Sequence, residues 1–182
     1  MCTKLSVLND TAKAEHMQSY NMHQRDKLMD KILHIIFTGI NQQLVDFIST
    51  GVDVNVQDKS GRTPLIHAAI DNRVDMMATL IENGANVDTQ DKVGWCALHY
   101  AAQESSYDSC KLLLENNATV DVQDVHGNTP LSNAVFNSRG YGEVIELLRS
   151  SGADINLKNK HGVSPLELAN TIANFDVARF IR

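Results

Sequence analysis

At 182 residues, with 43% hydrophobic and 21% charged side chains, the chain can bury a core and is too apolar to be disordered throughout. A formal net charge of −6 argues against a general phosphate-backbone binder, which needs a basic face, and leaves room for a basic protein partner. The cysteines, Cys2, Cys96 and Cys110, are irregularly spaced without a CxxC, so neither a disulfide framework nor a structural zinc site is expected and a reducing compartment fits.

Residues 1–24 are polar and unpatterned and read as a tail or an extra helix; no signal-peptide core is visible there. No run approaches the roughly 18 apolar residues of a membrane span. No membrane association is therefore expected, and the expected location is cytoplasmic. From Arg25 to Phe37 the positions Leu28, Met29, Ile32, Leu33, Ile35 and Ile36 follow helical spacing. Gly39 interrupts, and Leu44, Val45, Phe47 and Ile48 form a second short helix ending at Gly51.

A turn then recurs. Asp58-Lys59-Ser60-Gly61-Arg62-Thr63-Pro64-Leu65 returns from Asp91, from Asp124 and from Asn159. The turn glycines Gly61, Gly94, Gly127 and Gly162 step by 33, 33 and 35 residues, and Gly51, Gly84, Asn117 and Gly152 keep the same steps. Two landmark series on one period mark an internal repeat. Each unit reads as a turn, a short helix, a second helix and an extended return. Thr63 is placed to cap the first helix, with Pro64 at its first position. Gly84, and Asn117 in its place, are placed to end the second helix. The two extra residues of the third unit fall within Asn137–Gly142.

Asp-x-x-Gly-x-Thr-Pro-Leu, then small residues, Leu-Leu and Gly-Ala-Asn-Val-Asp resembles the ankyrin repeat. The match covers residues 25–182. It implies an all-α solenoid of stacked helix pairs with β-hairpin fingers. About five units are expected: a cap at 25–57, repeats from 58, 91 and 124, and a C-terminal cap at 159–182. The family's Thr-Pro-Leu-His is never complete, its His position holding Ile66, His99, Ser132 and Glu167.

No catalytic chemistry stands out. The histidines show no ligand spacing, and His126 and His161, at matching finger positions, make a weak metal site at most. The turn acids recur once per unit and are expected to hydrogen-bond their own turns. Cys96 replaces a helix cap and is expected to be partly buried; Cys110 is expected in the core. A non-enzyme without metal or cofactor is the reading.

What remains is surface. The resemblance implies partner contacts at the finger tips and at the end of each first helix. Carried onto this chain they include Lys59, Arg62 and Ile70; Lys92, Trp95, Gln103 and Glu104; His126, Asn128 and Phe136; and His161. Tyr141 sits at the tip of the inserted loop. Trp95 is read either as an exposed aromatic anchor or as a ring lying flat on its own hairpin. The expectation is a protein-binding module, monomeric when free, taking another protein, more basic than acidic, and no nucleic acid. The compact format resembles small bacterial ankyrin proteins, some of which look like immunity proteins that neutralise a toxin. A signalling scaffold or secreted effector is the alternative.

Overall fold

The computed structural model describes residues 22–172 and 176–181. Ten helices lie among them. They are α1 (Met22–Thr38), α2 (Asn41–Ile48), α3 (Pro64–Ile70), α4 (Val74–Glu82), α5 (Ala97–Gln103), α6 (Tyr107–Glu115), α7 (Pro130–Asn137), α8 (Glu143–Ser150), α9 (Pro165–Thr171) and α10 (Ala178–Ile181). The odd-numbered helices stack on one another in chain order, as do the even-numbered ones, and each pair packs internally. The result is the expected helical solenoid, two helical layers thick.

Local chemistry sets the helix boundaries. Thr63 Oγ1 accepts from the Ile66 amide at 3.3 Å, satisfying a donor that the first turn of α3 leaves free, and Pro64 occupies the adjacent position where no N–H is needed. Thr129 does the same for Ser132 at 3.3 Å. At α9 the cap is reciprocal: Glu167 donates its amide to Ser164 Oγ, and its carboxylate accepts from the Ser164 amide at 2.8 Å. After α6, Asn117 takes the left-handed conformation that ends a helix, with φ at 62°, and the next amide, Ala118, reaches back to the Leu113 carbonyl at 3.0 Å.

Small residues let the layers close. Ala68, Ala69, Ala101, Ala102 and Ala134 are buried along the odd-numbered helices, so neighbouring backbones approach. Met76, Met77, Leu80, Leu113, Ile145 and Leu148 fill the space beneath. Ile32, Ile36 and Leu44 extend the same core into α1 and α2 as the N-terminal cap. Helix α1 begins at Met22, so the last three residues of the expected tail are helical; residues 1–21 lie outside the described residues. So do residues 173–175 and 182 of the expected C-terminal cap.

The fingers differ from hairpins in detail. In each, the turn acid's amide meets the carbonyl four residues on (Asp58 to Arg62, 2.9 Å), and the turn glycine's amide returns to the acid's carbonyl. One further bond joins each finger to the next: Lys92 to Ser60 at 2.9 Å, Val125 to Val93 at 3.1 Å, Lys160 to His126 at 2.9 Å, each amide donating to the preceding finger's carbonyl. That is too few for a ladder, and no strand forms among the described residues. Fingers stack so closely that a Cβ on Gly94 would stand 2.8 Å from the Val125 nitrogen.

Candidate functional site

Each finger is built on its turn acid. Asp58 Oδ1 accepts from the Ser60 and Arg62 amides, Asp91 Oδ1 from Val93 and Trp95, Asp124 Oδ1 from His126 and Asn128, and Asn159 Oδ1 from His161 and Val163, all at 2.7–3.0 Å. The turn acids hold their own backbones, as expected. For Asp58 and Asp124, burial pushes the carboxyl up, but the amides and neighbouring side chains that donate to it outweigh burial, so both are held below the ordinary range.

The acid's second oxygen carries the contact between fingers at the first two junctions, and the Asn159 amide nitrogen carries it at the third. Arg62 Nε lies 3.6 Å from Asp91 Oδ2 and donates to Tyr100 Oη at 3.1 Å. Trp95 Nε1 donates to Asp124 Oδ2 at 3.0 Å. Asn159 Nδ2 donates to Asn128 Oδ1 at 2.8 Å. The residue following the turn glycine therefore meets the next finger's turn Asp or Asn at all three junctions. Arg62, Trp95 and Asn128, expected to face a partner, are in large part tied to the scaffold.

Trp95 lies between its two expected positions: it is half-buried, stacked on His99 at 5.9 Å between ring centroids and edge-on to Tyr100 at 4.9 Å. Its flat contact is with residues of α5, and its N–H leaves for the next finger. One edge of the indole still lines a groove on the face that the fingers form with the odd-numbered helices, the concave face that the resemblance implies.

Cys96 also differs from expectation: it is 0% exposed, not partly buried. His99 Nε2 donates to the Asn128 carbonyl at 3.3 Å, which makes Nδ1 the acceptor for the Cys96 amide at 3.3 Å and for its thiol at 3.2 Å. Burial lowers the His99 pKa and keeps the ring neutral. Burial raises the Cys96 thiol, and pushes Cys110, in the core as expected, up to about 12. Neither is set up as a reactive thiolate.

The remaining expected contacts separate by environment. Phe136 and Tyr141 are 71% and 73% exposed, at the end of α7 and in the inserted loop. Gln103 and Glu104, at the end of α5, share a cleft of about 290 Å³ with Tyr141. His126 and His161 are exposed and stack at 6.4 Å. Lys92 is exposed, Lys59 pairs loosely with Asp26 at 3.8 Å, and Ile70 packs against the core. Among the described residues no three His, Cys, Asp or Glu side chains gather as a metal site would require, and no helix is long and apolar enough to cross a membrane.

The concave face holds one feature the sequence reading did not single out. A groove of about 500 Å³ opens between Trp95, Phe136, His161 and Leu168, with Asn133 among the residues that line it. Asn133 stands nine residues after its turn acid, where the other units have His67, Tyr100 and Leu168. His67 Nε2 meets Asp58 Oδ2 at 2.9 Å, and Tyr100 Oη donates to Asp91 Oδ2 at 2.7 Å. Asn133 makes no such bond. The series was present in the sequence, but its meaning depends on knowing that the first two members reach back to the turn.

The family model for three ankyrin repeats matches residues 32–124, and the ankyrin repeat model matches residues 126–160. No curated protein matches the chain.

Proposed function

The chain belongs to the ankyrin-repeat family, whose repeats are protein–protein interaction modules, and we propose that it captures a basic partner protein on its concave face, as an immunity protein neutralising a toxin. The mechanism is steric: a rigid strip covers the partner's active surface without chemistry on it. The observation that carries this reading is the exposure of two aromatic side chains, Phe136 at the end of α7 and Tyr141 in the inserted loop that follows it. A monomer gains nothing by exposing two large rings, whereas rings on a rigid support are common anchors at interfaces. Gln103, Glu104 and the walls of the groove continue the same strip. The net charge of −6 supports a basic partner, since complementary charge speeds encounter and penalises wrong partners.

The test is capture from the cells that express the protein, followed by identification of the bound chain. Phe136→Ala is expected to weaken capture by at least tenfold, given the ~2 kcal/mol typical of an aromatic anchor. Binding is expected to weaken as salt rises, because rim charges are screened. A captured basic enzyme whose activity falls on binding supports the immunity reading. A regulatory protein whose activity is unchanged would point to a scaffold instead. Full capture by Phe136→Ala would place the interface elsewhere.

A further inference from the structure

The groove at Asn133 has a definite chemistry. Asn133 is only 8% exposed, and its side-chain Nδ2 is shielded from solvent with no hydrogen-bond partner among the described residues. Leaving a buried amide donor unpaired is costly, so such a group calls for an explanation. Here the repeat supplies its own template. One period earlier the same position is Tyr100, whose ring is covered by Arg62 from the preceding finger and whose hydroxyl donates to the turn acid. For Asn133 the matching residue of the preceding finger is Trp95, which lines the groove with it, and the turn acid is Asp124, already contacted by the indole. The surroundings of a buried phenol are thus repeated, but the side chain that would fill them stops at an amide. The groove beside it, about 500 Å³, has room for a ring.

We propose that this groove receives a tyrosine side chain from the partner protein, with the phenol against Trp95 and its hydroxyl on the Asn133 amide. The inference rests on the concave-face reading above and names the group that the face recognises. A phenol suits the site better than its competitors. It both accepts and donates, so it pairs with either end of the amide. Its ring matches the indole, Phe136 and Leu168. A carboxylate would be set near ionised Asp124, which lies directly behind Trp95 and Asn128. A purely apolar side chain would leave the amide unpaired.

The chain's single tryptophan makes this measurable, because its indole N–H gives one unambiguous NMR signal. The probes are p-cresol and toluene, which differ by the hydroxyl. Expected is a saturable shift of the Trp95 signal with p-cresol, at an affinity at least fivefold above that for toluene. Asn133→Tyr, which supplies the ring internally, is expected to abolish the p-cresol shift and to lower partner capture at least tenfold. Asn133→Ala should bring the two probes to equal affinity, and serves alone if Asn133→Tyr does not fold. Equal affinities in the unsubstituted protein, or a p-cresol response unchanged by Asn133→Tyr, would overturn the inference. Partner capture lost in Phe136→Ala but intact in Asn133→Tyr would also overturn it, while leaving the concave-face reading standing.

Discussion

Cys96 opens α5 where Thr63, Thr129 and Ser164 open the corresponding helices, and it is the only one of the four without a hydroxyl. The helix survives because His99, three residues on, turns its Nδ1 back to the Cys96 amide, the part that Glu167 plays for α9. What is still missing is a strong acceptor for the first-turn amides. Cys96→Thr supplies one, as Thr63 and Thr129 do when equally buried at the same position. The variant is expected to gain about 1 kcal/mol, read as a rise of roughly 2–4 °C in thermal midpoint. A fall would mean that the thiol contact to His99 matters more than the cap. Sequence comparison alone identifies the missing hydroxyl. It could not show the compensation by His99, because that depends on a ring tautomer fixed by the Asn128 carbonyl of the next finger.

At the scale of elements, the helices were legible and their junctions less so. Caps and left-handed stops are local signals, and the starts of α3, α7 and α9 and the ends of α4, α6 and α8 stand where those signals do. The insertion was visible as two extra residues, but its fit to the rest of the chain was not. Gly142, at its end, lies against Phe180 of α10: a Cβ built there would come within 2.0 Å of the ring. Thirty-eight positions separate the two residues, so no local pattern links them. Gly142 is therefore required by contact rather than by backbone conformation, its φ being −106°. Gly142→Ala is expected to cost about 1–3 kcal/mol as α10 is pushed away. Urea denaturation monitored by circular dichroism gives the value. A change within error would show that α10 yields freely, and the ring is then not a fixed wall of the C-terminal unit.

For the whole molecule, the junctions decide how the units behave together. A solenoid's stability is a sum of unit terms and nearest-neighbour terms, so cooperativity depends on what crosses each junction. Between the second and third units that includes the stacked α5 and α7, the Val125 amide, and the Trp95 bond to Asp124. Arg62, Trp95, Asn128 and Val163 differ at the position after the turn glycine, and variation in a repeat suggests recognition. The structure gives the same variation a second cause. Arg62 meets Asp91 and Tyr100 of the following unit, Trp95 meets Asp124 and Asn128 meets Asn159, so three different side chains do the same mechanical task. Truncating Trp95 removes a hydrogen bond to a charged group and two aromatic contacts. Trp95→Ala is accordingly expected to lose about 2–3 kcal/mol, and the loss should be uneven. Hydrogen exchange should quicken in α7 to α9 more than in α3 and α4, and the urea transition should broaden as the C-terminal units open first. A variant whose denaturation curve overlays the parent's would return Trp95 to the role of free anchor. Partner binding by this variant therefore has to be measured at a urea-free temperature well below its midpoint, where lost affinity reports the groove wall and not the lost junction.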